Sequence, residues 1–188
     1  IMIEKIQIPS NGTHMDIILS ADEKKEANLF LEKHGTRSKE FIYLNIGGSA
    51  LYKQWPVDQF IALSNLILNG TSLKIVLGGG PKDKDRINFI NHQISQERVI
   101  AASNRSLIEN CALINNAKVL VTPDSGPMHI GFSLKIPTIS LFGETDCNEL
   151  IRNELNGPNF CGPLNIDESL SSVLCGNFFE SNKGVDPE

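Results

Sequence analysis

From residue 41 to residue 142, short apolar runs and amphipathic stretches take turns along the chain. Residues 41–46 read as an apolar strand, followed by a glycine-containing loop and a helix opening near Pro56. In that helix Val57, Phe60, Ile61, Ser64, Ile67 and Leu68 recur on one face, and a proline suits its start. Residues 73–77 form the next strand, which ends in Gly78-Gly79-Gly80-Pro81. The helix after it sets Ile87, Ile90 and Ile94 on one face and charges on the other. Residues 98–101 make a short strand, and Ser106 is placed to cap a helix presenting Leu107, Cys111 and Ile114. Residues 118–122 form a strand, then come a polar turn, a short helix over about 127–134, and a last strand over 137–142. Nearly continuous apolar strands separated by helices predict an α/β fold: a Rossmann-like parallel sheet sandwiched by helices. Ligands of such sheets bind where loops leave the C-terminal ends of the strands.

The flanks are less regular. Residues 1–35 read as a linker segment and a helix: a connecting stretch over 1–15, the apolar run Ile17-Ile18-Leu19, a helix over about 23–34, and Gly35 to end it. The regular domain spans 36–147, and 148–188 is a Gly/Pro/Asn-rich tail with one weak helix near 168–174. A chain of 188 residues, 40% hydrophobic, suffices for one such domain with a real core and not for two large ones. Net charge of -5 without a basic stripe argues against nucleic-acid binding, yet leaves room for one phosphorylated ligand held by a local cation and a helix end. Cys111, Cys147, Cys161 and Cys175 form no C-x-x-C pair and read as free thiols of a reducing cytosol. No signal peptide and no membrane-length apolar run is visible, so a cytoplasmic location is expected. The opening residue, Ile1 rather than Met, fits a piece of a longer chain.

Because this architecture serves many functions, the chemistry must be read from the loops. In Gly47-Gly48-Ser49-Ala50-Leu51-Tyr52-Lys53-Gln54-Trp55-Pro56 the glycines permit close approach to a ligand, and Ser49 can donate a hydrogen bond. Lys53 stands ahead of a helix N-terminus, where the dipole prefers an acid, so a cation there suits a bound anion. A solvated lysine beside a core Trp55 is the bland alternative. Gly78-Gly79-Gly80-Pro81-Lys82-Asp83 is similar to a dinucleotide fingerprint, but Asp83 stands where the third glycine belongs, and no Walker A ending follows. A permissive strand-to-helix turn is the simpler reading, with Asp83 free to accept hydrogen bonds from a ribose. In Thr122-Pro123-Asp124-Ser125-Gly126-Pro127-Met128-His129, Asp124 or Ser125 can cap the helix. The Ser125 and Gly126 amides open toward an anion, and His129 lies within reach of it. Ser125 is not a hydrolase nucleophile, since Pro123 and Pro127 replace the glycines of a nucleophile elbow.

Taken in order, Lys53-x-Trp55-Pro56, Leu77-Gly78-Gly79-x-Pro81, Ser106-Leu107, Asp124-Ser125-Gly126-Pro127-Met128-His129 and Leu141-Phe142-Gly143-x-Thr145-Asp146 resemble glycosyltransferase family 9, the heptosyltransferases of lipopolysaccharide core synthesis. The likeness covers residues 38–147 and that family's C-terminal domain. It implies the C-terminal half of a GT-B enzyme that holds ADP-heptose and transfers heptose, with inversion, to a lipid-linked sugar acceptor, without metal or other cofactor. It implies that Lys53 neutralises the donor phosphates and stabilises the leaving group, with Ser49 nearby. Asp124, Ser125, Gly126 and His129 match the turn that contacts phosphate and sugar, and Asp83 and Arg105 the region of ribose and adenine. The acceptor-binding N-terminal domain and its general base have no counterpart in residues 1–35, so the chain alone is expected to bind a nucleotide without transferring sugar. In the full-length protein, a peripheral position at the inner face of the inner membrane follows from the lipid-linked acceptor. Two other readings stay open: a family member using another nucleotide sugar, and a non-catalytic nucleotide-binding or regulatory module.

Overall fold

The computed structural model describes residues 15–48, 53–141 and 159–160. The first helix, α1 (Ala21–Lys33), starts at Ser20, whose hydroxyl accepts from the Glu23 amide while the Glu23 carboxylate accepts from the Ser20 amide. Gly35 follows it at φ +62°, a conformation open to a residue without Cβ. Strand β1 (Phe41–Asn45) leads to α2 (Val57–Gly70), β2 (Lys74–Gly78), a single 3₁₀ turn at Pro81–Asp83, and α3 (Lys84–Ile94). Then come β3 (Val99–Ala101), α4 (Leu107–Asn116), β4 (Val119–Pro123), α5 (Gly126–Ser133), β5 (Thr138–Leu141) and β6 (Asn159–Phe160). The five strands expected from the pattern are all present. The sixth, β6, lies in the stretch read as tail and pairs parallel to β5; the weak helix expected near 168–174 falls outside the described residues.

Every pairing is parallel, in the order β3-β2-β1-β4-β5-β6. The sheet is covered on both faces, and β1 shows how. Ile42, Leu44 and Ile46 point to the side packed by Phe60, Leu63 and Ile67 of α2 and Ile87, Ile90 and Ile94 of α3. Phe41 and Tyr43 point to the other side, against Leu31 of α1 and Cys111 and Ile114 of α4. Period-2 alternation within an apolar strand thus feeds two cores at once. Among the described residues no helix is long and apolar enough to cross a membrane.

Parallel strands joined by helices force those helices to run antiparallel to the sheet, so their C-termini gather at one edge. Basic side chains from neighbouring elements meet them there. The Lys74 ammonium donates to the His34 carbonyl behind α1 at 2.6 Å. The Arg98 guanidinium donates to Thr71 O at 2.7 Å and to Leu68 O at the end of α2. Lys39 donates to Asn115 O at 3.2 Å and Ala117 O at 2.8 Å at the end of α4. These cations satisfy orphan carbonyls and oppose the negative pole of each dipole. The positive poles are left facing the opposite edge.

Helix α5 sits tight on the sheet near the N-terminal ends of β4 and β5. A Cβ added at Gly131 would lie 2.4 Å from Thr138 Oγ1 and 2.7 Å from Leu120 Cδ2. Gly131→Ala is therefore expected to destabilise the fold by about 1–3 kcal/mol through overpacking, read as a lower urea midpoint at unchanged slope.

Candidate functional site

The chain reverses its direction of travel after β3, crossing back over β1 to lay down β4. The loops after β1 and β4 consequently diverge and open a crevice at their C-terminal ends, the topological switch point of such sheets. One ion pair bridges that crevice. Lys53, from the β1 loop, donates to the Asp124 carboxylate behind β4 at 2.7 Å, with 26% of the lysine side chain and 8% of the aspartate exposed. The lysine is thus neither a solvated surface charge nor an uncommitted cation.

Asn45, the last residue of β1, ties the same two loops from below. It is buried, and its Nδ2 donates to Gly47 O at 3.0 Å and Thr122 Oγ1 at 3.1 Å, with Ser125 Oγ at 3.4 Å. Ser125 occupies the N-cap position of α5 in extended conformation, but its side chain makes no capping hydrogen bond. The expected Asp124 or Ser125 cap is not formed, because Asp124 is engaged by Lys53 and the Ser125 hydroxyl donates to Pro123 O at 3.1 Å. α1 and α4, by contrast, are closed by reciprocal capping boxes.

A cavity of about 320 Å³ opens beside the crevice, within the size range of small-molecule sites. Asn45, Gly47, Ser125 and Gly126 line one side. Asp83 lines another, and its carboxylate is already anchored: Oδ2 accepts from the Gly80 amide at 2.8 Å. It rests against bare backbone, since a Cβ at Gly47 would lie 2.2 Å from that oxygen and one at Gly79 2.9 Å. Arg105 lines the cavity as well; its guanidinium stacks 4.0 Å above the Phe30 ring of α1 and bonds Glu109 at 3.1 Å. Hydrogen bonds from the Ser106 hydroxyl and amide, with Arg105 adding attraction, hold the Glu109 carboxyl below its usual range.

Two buried polar groups form the floor. Tyr43 donates to Asn110 Oδ1 at 2.7 Å, and Asn110 Nδ2 donates to Gly79 O at 3.0 Å and Arg105 O at 3.4 Å. The Tyr43 hydroxyl fills the place of a side chain at Gly78, where a Cβ would lie 1.8 Å from it. Burial pushes the Tyr43 phenol far above its usual range, with Cys111 and Asp83 adding to the rise and Arg105 opposing it.

Of the residues expected to bind a ligand, Asp83, Arg105, Ser125 and Gly126 line the cavity, while the Lys53–Asp124 pair stands at its margin, next to Gly48. His129 is half-buried on α5, its ring set edge-on to Phe132 at 6.2 Å, and it is not a lining residue. Ser49 lies outside the described residues. Sequence reasoning missed Tyr43, Asn45 and Asn110. A polar residue inside an apolar strand or in the buried stripe of a helix was the available signal for all three. Cys111 is a free, buried thiol; the other cysteines fall outside the described residues. Among the described residues no group of three or more His, Cys, Asp or Glu side chains is arranged to hold a metal ion.

The model of glycosyltransferase family 9 (heptosyltransferase) matches residues 1–154. Lipopolysaccharide heptosyltransferase 1 of Campylobacter coli is 29% identical over 148 residues, which are 77% of this chain and 43% of that protein. The crystal structure of a family 9 glycosyltransferase from Veillonella parvula superposes with a TM-score of 0.68 at 26% identity, over 83% of this chain and 43% of that one. An Escherichia coli heptosyltransferase solved with ADP-2-deoxy-2-fluoro heptose shares the fold at 24% identity and a TM-score of 0.53, over 58% of this chain and 34% of that one. The chain thus spans about two-fifths of the length of the first of these relatives.

The buried Tyr43 phenol ties stability to pH. Below about pH 10 the phenol is neutral in both folded and unfolded chains. Above it only the unfolded chain releases the proton, so stability falls as pH rises. Denaturation midpoints should decline above about pH 10 in the wild type, and less steeply in Tyr43→Phe, which also loses the Asn110 bond.

Proposed function

The chain belongs to glycosyltransferase family 9, the heptosyltransferases, and on that premise we propose that it is the part of such an enzyme that binds the nucleotide-sugar donor, ADP-heptose. The observation that carries this reading is the Lys53–Asp124 pair bridging the switch-point crevice next to the mouth of α5, whose N-cap residue Ser125 makes no side-chain cap. A diphosphate there would meet the Lys53 ammonium together with the backbone amides and positive pole of α5. An ammonium carries three donors, so contact with Asp124 and contact with a phosphate oxygen are compatible. Asp124 then serves to aim Lys53 at the ligand.

The chemistry follows from where charge develops. As the bond between the anomeric carbon and the diphosphate oxygen breaks, negative charge grows on the leaving ADP. Fixed donors already pointed at that oxygen favour the transition state over the bound donor. Lys53 and the α5 amides fill that role without a metal ion. Ser49, Ser125, Gly126 and His129 complete the phosphate and sugar side. Asp83 and Arg105 face the ribose and base, where the Arg105 charge is moderated by Glu109 and Phe30.

In this reading residues 36–147 are the donor-binding unit, 1–35 the connecting segment with its helix, and 148–188 a tail. The sugar acceptor and the base that activates it belong to an N-terminal domain. The GT-B enzyme so completed inverts the anomeric carbon and works on a lipid-linked lipopolysaccharide core at the cytoplasmic face of the inner membrane. The 188-residue chain by itself binds donor and transfers nothing.

Calorimetric titration of the purified chain with ADP tests the core of the proposal. Binding is expected without added magnesium, with ADP preferred over UDP, GDP and CDP. Lys53→Ala should weaken it by about tenfold to a hundredfold, as loss of one charged hydrogen bond does. Preference for another base would turn the assignment to a different nucleotide sugar, and equal affinity of wild type and Lys53→Ala would overturn the role of Lys53.

A further inference from the structure

The charged helix α3 contains one cation that does not simply face solvent. Arg86, in its first turn, reaches across to the loop between β1 and α2. Its Nη1 donates to Ile46 O at 3.3 Å and to Gln54 Oε1 at 2.6 Å, and its Nη2 donates to Trp55 O. Ile46 is where the chain leaves β1, and Trp55 is where it arrives at α2. A single guanidinium therefore grips both ends of the loop. Gln54 extends the grip inward, its Nε2 donating to Gly48 O at 3.3 Å. The guanidinium also lies 5.9 Å from the centre of the Phe60 ring, which is fully buried under α2. Burial pulls the Arg86 pKa down while the neighbouring Asp83 carboxylate works the other way.

Lys53 immediately precedes Gln54 and belongs to the stretch that Arg86 staples. Spanning the two loop ends needs a planar fork with several donors at fixed spacing, which arginine has and lysine lacks. Resting on the diphosphate reading above, we propose that Arg86 is a positioning residue for the anion site: by clamping Ile46, Gln54 and Trp55 it fixes the direction in which Lys53 presents its charge.

Two measurements on the 188-residue chain test this. The first is amide exchange without ligand. Arg86→Lys should speed exchange at residues 46–48 and 53–55 about tenfold while β4 and β5 keep wild-type protection. The second is ADP affinity across a double-mutant cycle with Lys53→Ala. Arg86→Lys should weaken ADP binding about tenfold in the wild-type background and less than about twofold once Lys53 is gone. Gln54→Leu, which leaves Arg86 in place, should show the same pattern with a smaller loss. Unchanged exchange in the loop, or equal losses in both backgrounds, would overturn the inference. If the wild-type chain fails to bind ADP, the nucleotide reading falls, and the exchange comparison still decides whether Arg86 organises the loop.

Discussion

Lys53 and Asp124 meet at 2.7 Å across the gap between β1 and β4, the aspartate nearly excluded from water and the lysine mostly so. Desolvating two charges returns little net stability, because their attraction must first offset the lost hydration. Their contact does something else: it joins β1 and β4, the neighbouring strands at which the strand order reverses, at the edge where their loops part. Removing either partner leaves the other charge in a place built for two. The neighbouring contacts are arranged to keep this pair in register, with Asn45 pinning Gly47, Thr122 and Ser125 beneath it and Arg86 pinning the loop from above.

The pair sits in a domain whose ends differ electrically although its overall charge is modest. Lys39, Lys74 and Arg98 collect at the edge where helices α4, α1 and α2 finish. At the other edge, α1 and α4 have their first amides closed by Ser20–Glu23 and Ser106–Glu109, whereas α5 opens without a side-chain cap. Cations spent on helix C-termini cannot scatter near the cavity and attract anions to the wrong place. At the crevice edge Lys53 and Arg105 are each paired with a carboxylate, Asp124 and Glu109.

Much of this was legible in the residues. Apolar runs of strand length and isoleucines at Ile87, Ile90 and Ile94 announced a parallel sheet with two covered faces, and the fold has it. The Asp124–His129 turn and Lys53 pointed to the C-terminal ends of β4 and β1, where the structure has the crevice, because turn residues and a misplaced cation are local signals. What stayed hidden was non-local. Nothing in the sequence says that Lys53 and Asp124, far apart in the chain, share a contact, or that Asp83 bonds Gly80 and rests on Gly47. Arg86 was invisible for a different reason: in a helix full of charges, one that turns inward looks like its neighbours. His129, in the first turn of α5, lies edge-on to Phe132 and is not among the residues lining the cavity.

The hydroxyl of Tyr43 fills the volume that any side chain at Gly78 would need. These two positions face each other across paired strands, two residues out of register, and behave as one unit of volume. A homologue could carry alanine or serine at the β2 end only if its β1 residue were shorter, and the shorter residue would deprive Asn110 of its donor. The pair should therefore drift together or not at all, with the cavity floor reshaped whenever it does.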